Sequence, residues 1–499
     1  MTVLFFRETK MVRTWSAAVQ RPNKGNKGKA MKIVKAVWLC AWLAVFATES
    51  CSAKVYLRWT ESALPPARVL GVSEIVIPWN ESANALMTEA KKRGYQVLIE
   101  AGAAQIPDAV DAAVKTNAAG IFFRGQAGEH DALVEKAKEV RKAHPKLKVT
   151  VLDAHGKQPE MRGWLVFKRD GILQVSSPTS QPWLDTNLAA IRYERGVEGE
   201  IPLYSFAWDD SDSLMKQFGP KTEDYALAIA EAGAYHADLV LPVHEAQQKA
   251  LLSGNKDALA GWEGVKRYLD FYRKEDGSGG TAAEARVCVL TEDFETAFEP
   301  LNLMARHNIP FRVMKSNEVK AQDLAACDVA IALAQPGKEL AEELNDFAAK
   351  GGVVVTTKLQ GPFPWESSGK ATDNGPSTTY AVGSGRVIQL KEAVADPETF
   401  AQDVRRLMVK ANVPVSLWNS LTTLVAAYPG TKPGETIVEL VNYDEESSEV
   451  QVQVKGTYRS AIYETPERGR SEKLRTTEVN GFTQFVAPNL IVGGRVRLE

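Results

Sequence analysis

Residues 201–212 read IPLYSFAWDDSD, an apolar run that stops abruptly at an aromatic residue and three acids. The run 201–207 is too short for a helix and has the composition of a buried strand, so Trp208, Asp209, Asp210 and Asp212 fall at its C-terminal end. In a parallel α/β barrel that end is the mouth where chemistry is placed. Whether such a barrel exists depends on the chain to either side.

Upstream, strand-like and helix-like segments alternate. KVYLRW (54–59), SEIVIPW (73–79), YQVLIEA (95–101), AGIFFR (119–124) and KVTVLDA (148–154) read as strands. Between them lie the helical patterns ANALMTEAKKRG, PDAVDAAVKTN and HDALVEKAKEVRKAHP. A hairpin is expected at WLVFKRDGILQVSS, where Asp170-Gly171 suits a tight turn. After helical WLDTNLAAIRYERG comes the opening stretch. Helical EDYALAIAEAGAYHA, the strand DLVLPVH (238–244) and a long helical run to about Lys274 follow it. Eight strands, most separated by a helix, predict a (β/α)8 TIM-type barrel over 54–275, with an open doubly wound sheet as the alternative architecture. Arg192 and Glu194, two apart on one helix, are expected at the surface.

Residues 276–285, DGSGGTAAEA, read as a flexible linker. A Rossmann/flavodoxin-like α/β domain is expected over 286–415. Its first turn reads TEDFETAF in place of a glycine-rich phosphate fingerprint, so nucleotide binding is not expected there. Over 416–499, short segments such as EVQVQVKG alternate apolar and polar residues between turn formers, which predicts a C-terminal β-sandwich.

The N-terminal 53 residues read as address. From Met31, Lys32 and Lys35 precede the apolar run Ala36 to Ala47 and a small-residue ending at Ala53, the layout of an export signal. That run is about 12 residues against the roughly 20 needed to span a bilayer, so a soluble periplasmic or secreted product is expected after cleavage. An uncleaved anchor or a lipoprotein at Cys51 is the alternative, and Glu49 fits a lipobox poorly. Residues 1–30 read as an upstream extension or a disordered leader.

With 60 basic against 62 acidic residues, no global field attracts nucleic acid or anionic lipid. Cys288 and Cys327 border apolar runs and read as buried thiols, with one disulfide between them as the alternative. The histidines are scattered and no zinc spacing occurs, so no metal or cofactor is expected.

The order of a signal, a barrel, an α/β domain containing AKGGVVVTT (349–357) and a terminal domain with VELVNYD (438–444) and GGRVRLE (493–499) resembles multidomain glycoside hydrolases. The nearest type is the β-galactosidases whose second domain is like a class I glutamine amidotransferase. The resemblance implies a carbohydrate substrate and a structural second domain that contributes to a barrel edge or, like the trimerisation domain of such enzymes, to a subunit contact in a homo-oligomer. In amidotransferases a cysteine nucleophile stands on a tight turn; the matching turn here, AQPGKEL (334–340), has none. The hydrolases are also expected to carry Asn-Glu after the fourth strand and Glu after the seventh. Here the fourth ends in Arg124-Gly125 and the seventh in Trp208-Asp209-Asp210; the sole comparable Asn-Glu is Asn80-Glu81, after the second. The family's catalytic residues therefore do not carry over by position.

From the residues themselves, glycosidic hydrolysis needs one protonated and one ionised carboxyl across the sugar. Strand ends supply Glu81, Glu100, Asp153, Asp209, Asp210 and Glu245. Asp209 is taken as the ionised partner, with Asp153, Glu100 or Glu245 as the acid. Trp59, Trp79 and Trp208 each end an expected strand and would offer rings for sugar C–H faces, unless they pack the core. Glu81, Arg124, Asp210 and His244 are the polar binding candidates. Two classes stay open: an exported hydrolase, and a catalytically silent sugar-binding barrel.

Overall fold

The computed structural model describes residues 53–80, 82–125, 129–152, 186–197, 201–206, 217, 219–357, 359–394 and 396–499. The leader and signal expected up to residue 52, the hairpin expected at 164–177, and Glu81, Asp153, Trp208, Asp209, Asp210 and Asp212 lie outside the described residues.

Seven parallel strands make the first sheet: β1 (Val55–Arg58), β2 (Glu74–Pro78), β3 (Gln96–Gly102), β4 (Gly120–Arg124), β5 (Lys148–Val151), β6 (Leu203–Ser205) and β7 (Asp238–Pro242). Their order is β5-β4-β3-β2-β1-β7-β6. That is the cyclic order of a barrel, interrupted among the described residues between β5 and β6. The sheet is strongly curled. Lys148 on β5 donates to the Tyr56 hydroxyl on β1 at 3.1 Å, although four inter-strand steps would separate them by roughly 19 Å in a flat sheet. Tyr56 also meets Phe122 of β4 edge to face, with ring centroids 5.2 Å apart. Inside the curl Tyr56, Val76, Leu98, Phe122 and Val240 form their own core. The fold is thus α/β, with a curled parallel sheet resembling part of a TIM barrel.

Helices α1 (Ala83–Lys92), α2 (Ile106–Thr116), α3 (His130–Ala143), α4 (Leu188–Val197), α5 (Thr222–Ala234), α6 (Glu245–Leu252) and α7 (Lys256–Tyr272) accompany these strands. Residues of alternate parity, among them Leu57, Ile75, Val97, Ile99 and Phe123, pack outward against apolar helix residues such as Met87 and Ala109. The helical run expected to reach Lys274 unbroken is α6 and α7, because Gly254 takes φ +72° and Asn255 caps α7, accepting from the Ala258 N–H at 3.0 Å.

The second sheet contains β8 (Val287–Thr291), β9 (Phe311–Lys315), β10 (Val329–Ala332), β11 (Val353–Thr356), β12 (Lys370–Asp373), β13 (Ser377–Val382) and β14 (Gly385–Leu390), in the order β12-β13-β14-β11-β10-β8-β9. Its strands are parallel except where β13 runs antiparallel to β12 and β14. After β8, Asp293 accepts from the N–H groups of Glu295 and Thr296, both at 3.1 Å, at the start of helix α8 (Phe294–Arg306). The chain's own carboxylate thereby fills the place a phosphate takes at a helix N-terminus. Cys288 and Cys327 are joined as a disulfide with Cα atoms 6.1 Å apart, so the default reading of two buried thiols gives way to its alternative. The pairing of β8 with β10, which sets Cys288 opposite Ala330, brings the two cysteines together.

Helix α4 corrects a second expectation. Glu194 is buried, and Arg192 lies over the Phe311 ring at 4.4 Å while donating to the Ile309 carbonyl at 3.2 Å. A Cβ added to Gly196 would collide with the Val313 carbonyl. Helix α4 thus packs against β9 of the second sheet, a contact that a helix pattern read alone cannot reveal.

The C-terminal part contributes β15 (Val415–Leu417), β16 (Thr423–Pro429), β17 (Thr436–Asn442), β18 (Ser448–Lys455), β19 (Ala461–Glu464), β20 (Glu472–Leu474), β21 (Thr477–Val479), β22 (Phe482–Leu490) and β23 (Gly493–Leu498). They form two antiparallel sheets, β15-β18-β22-β21 and β16-β17-β23-β19-β20. Val450, Val452, Val454 and Phe485 of the first meet Val438, Leu440, Val496 and Leu498 of the second in one core. The five-stranded sheet also rests on the first domain: Tyr428 donates to the Ala234 carbonyl at 2.7 Å, and the Arg495 guanidinium lies 5.0 Å from the Phe271 ring.

The stretch 276–285 is pinned, contrary to its reading as a free joint. Asp276 accepts from the Ser278 N–H at 2.8 Å and meets His236 Nε2 at 2.6 Å, both partners being buried. Gly277, Gly279 and Gly280 adopt φ of +91°, +62° and +71°, so the glycines serve a fixed left-handed path through the seam.

Candidate functional site at the sheet mouth

Side chains alternate along a strand, so a residue two positions beyond an inward one also faces inward. Tyr56, Leu98 and Phe122 fill the interior. Arg58, Glu100 and Arg124 follow them by two residues and face inward at the C-terminal ends of β1, β3 and β4. There they converge. Arg58 Nε stands 3.1 and 3.0 Å from the two Glu100 carboxylate oxygens. Arg124 adds Nε at 3.0 Å and Nη2 at 3.2 Å. The Glu100 side chain is 5% exposed and the two arginines 27% and 26%, so a buried anion holds two partly exposed arginines.

Burial alone pushes the Glu100 carboxyl up, but Arg124 and Arg58, by charge and by hydrogen bonding, outweigh it and hold the group below the usual carboxylate range. Glu100 is therefore ionised near neutral pH and suits the proton donor's role poorly. A depressed folded-state value stabilises the fold above the unfolded-state value, about 4.3, and that contribution is lost as pH falls through the folded-state value. Glu100→Gln is expected to cost about 1–3 kcal/mol at pH 7, discounted for the partial exposure of both arginines, and less at pH 3. Urea titrations at the two pH values measure this; an equal cost at both would show that ion pairing is not its source.

The remaining described candidates lie elsewhere. Trp59 is fully buried in the outer core, its Nε1 donating to the Ala63 carbonyl at 2.8 Å, and Trp79 packs partly buried against the same core. Neither ring lines the mouth, because each has the parity of the outward-facing residues. His244 caps α6, its Nδ1 accepting from the Ala246 N–H at 3.2 Å. Glu245 is exposed in the first turn of α6, where hydrogen bonding and charge from Lys249 hold its carboxyl low. Arg58 was missed by the sequence reading. Its signal was present in KVYLRW: it shares a strand face with Tyr56, whereas the chosen Trp59 does not.

Among the described residues, no group of three or more His, Cys, Asp or Glu is placed to hold a metal ion, and no helix is long and apolar enough to cross a membrane.

No protein-family model matches this chain, and no curated protein is detectably similar in sequence. Solved structures do match. The α-L-fucosidase isoenzyme 2 from Paenibacillus thiaminolyticus superposes with a TM-score of 0.57 at 12% identity, over 90% of this chain and 99% of that one. The cold-adapted β-galactosidase from Rahnella sp. R3 gives 0.51 at 11% identity, over 88% and 99%. At such identities the likeness is one of fold, and it extends along nearly the whole of both neighbours.

Proposed function

We propose that this chain is an exported carbohydrate-active protein of the glycoside hydrolase type, working at the C-terminal mouth of its curled parallel sheet. The observation that carries the reading is the Arg58–Glu100–Arg124 cluster: an ionised carboxylate holding two partly exposed arginines, at the place where such sheets hold their ligands. An arginine held as Arg58 is donates to sugar hydroxyls without first losing conformational freedom. The fold neighbours, both named as glycosidases, support the substrate class.

In this reading Glu100 orients and does not donate. The Glu100 carboxyl is held low by its arginines and Glu245 stands exposed in the first turn of α6, so the acid is assigned to Asp153, with Asp209 as the ionised partner. The second domain is read as amidotransferase-like and structural, offering a contact for oligomers, and the paired antiparallel sheets as a terminal sandwich. A Cys288–Cys327 disulfide suits the oxidising compartment that the signal implies.

The test is turnover of a panel of 4-nitrophenyl glycosides, including α-L-fucoside and β-D-galactoside, by the chain beginning at Lys54. Release of nitrophenol above a heat-treated control is expected for at least one. Saturable sugar binding with no turnover anywhere would favour the silent barrel, a reading that gains from Glu100 having both oxygens engaged by arginines. Neither binding nor turnover would remove both readings.

A further inference from the structure

We propose a second, non-catalytic saccharide-binding site on the outer face of the β15-β18-β22-β21 sheet, with Trp418 as its stacking ring. Strand alternation turns Val450, Val452 and Val454 of β18 inward and leaves Gln451 and Gln453 outward. On β22, Gln484 pairs with Gln453 and Val486 with Gln451, so their side chains continue the same outer row. Trp418 follows β15 and is tied to the row by its backbone N–H, which donates to the Gln451 carbonyl at 3.2 Å. Arg475 closes the other end. Together these residues line a groove of about 420 Å³, within the roughly 300–1,000 Å³ of small-molecule sites.

The chemistry of the groove selects the occupant. Trp418 is 63% exposed, the most exposed large hydrophobic among the described residues, and an indole is a rigid platform for apolar C–H faces. Each glutamine amide carries an acceptor and two donors, which match the paired hydroxyls of a sugar, and among the described residues none of the three amides is engaged in a side-chain hydrogen bond. Arg475 is the one charge in the lining, too little for nucleic acid or an anionic lipid surface, both of which need several cations. A second copy of this chain fits poorly, since the centre of a protein interface is apolar and this row is mostly amide. The groove lies on the sheet that faces away from the first domain, so a glycan there would tether the protein without entering the mouth.

The proposal shares the carbohydrate reading above only in its ligand class, and its readout is independent of turnover. The full chain and its Trp418→Ala and Gln451→Ala/Gln453→Ala variants are run in native gels containing galactomannan, xylan or mixed-linkage β-glucan, beside thermal melts and sedimentation. Wild type is expected to be retarded by at least one polymer. Trp418→Ala should raise the apparent dissociation constant by about tenfold or more, the double glutamine variant should raise it to a lesser degree, and all melts should coincide. Retardation by no polymer, or retardation of Trp418→Ala equal to wild type, would overturn the site. So would a wild-type dimer that Trp418→Ala converts to monomer, because the face would then be a subunit contact. Aryl glycoside turnover with no retardation would sink this site and leave the mouth reading standing.

Discussion

Asp209→Asn is expected to reduce turnover of any accepted glycoside by a thousandfold or more, about 4 kcal/mol of transition-state stabilisation, while sugar binding and folding stay close to wild type. Asparagine keeps the shape of aspartate but cannot carry the negative charge that stabilises an oxocarbenium-like transition state, so the loss should appear in kcat. Asp209 follows β6, which pairs in parallel with β7 and so points its C-terminal end toward the mouth where Arg58, Glu100 and Arg124 meet. A solvated loop acid changed in this way usually shifts stability by no more than about 0.5 kcal/mol and leaves catalysis alone. Near wild-type rates for the variant would make Asp209 structural and move the search to Asp153.

Glu231→Ala is expected to destabilise the fold by about 3–5 kcal/mol, the largest stability effect among these substitutions. Glu231 projects from α5 and is 2% exposed. Its carboxylate accepts from Tyr443 OH at 2.6 Å, Thr186 Oγ1 at 3.0 Å, the Asn187 N–H at 3.1 Å and Tyr204 OH at 3.2 Å, and from the Asn187 side-chain amide. Alanine would leave these buried donors without their shared acceptor, at roughly 1–3 kcal/mol for each that cannot relax. Tyr443 of the VELVNYD motif directly follows β17, so the network also fastens the C-terminal sheets to the first domain. Tyr443→Phe removes one donor without stranding another and should cost only about 1 kcal/mol. Urea denaturation of both variants provides the measurement; a Glu231→Ala midpoint indistinguishable from wild type would show that the cluster contributes nothing net.

The amino-acid sequence by itself determined the succession of strands and helices, because hydrophobic period and turn residues are local signals that survive without tertiary context. KVYLRW, SEIVIPW, YQVLIEA, AGIFFR and DLVLPVH each became a strand of the curled sheet, and EVQVQVKG showed its alternation because one face of β18 remains open to water. Glu100 and Arg124 could be placed at strand ends for the same reason. Which face of each parallel strand looks into the curl was decided only by the tertiary structure. Those strands are buried on both sides and read as continuous apolar runs, so period two carries no label for inside. Hence Trp59 and Trp79 were expected at the mouth, but Trp59 stands in the outer core and Trp79 packs partly buried against it, while Arg58, one residue from Trp59, completes the cluster. The contact of Arg192 with Phe311, the burial of Glu194, the pinning of Asp276 and the Cys288–Cys327 bond were likewise set by contacts between units far apart in sequence. Glu231 and Tyr443 lie 212 residues apart, and only the packing of the five-stranded sheet on α5 brings their oxygens within hydrogen-bonding distance.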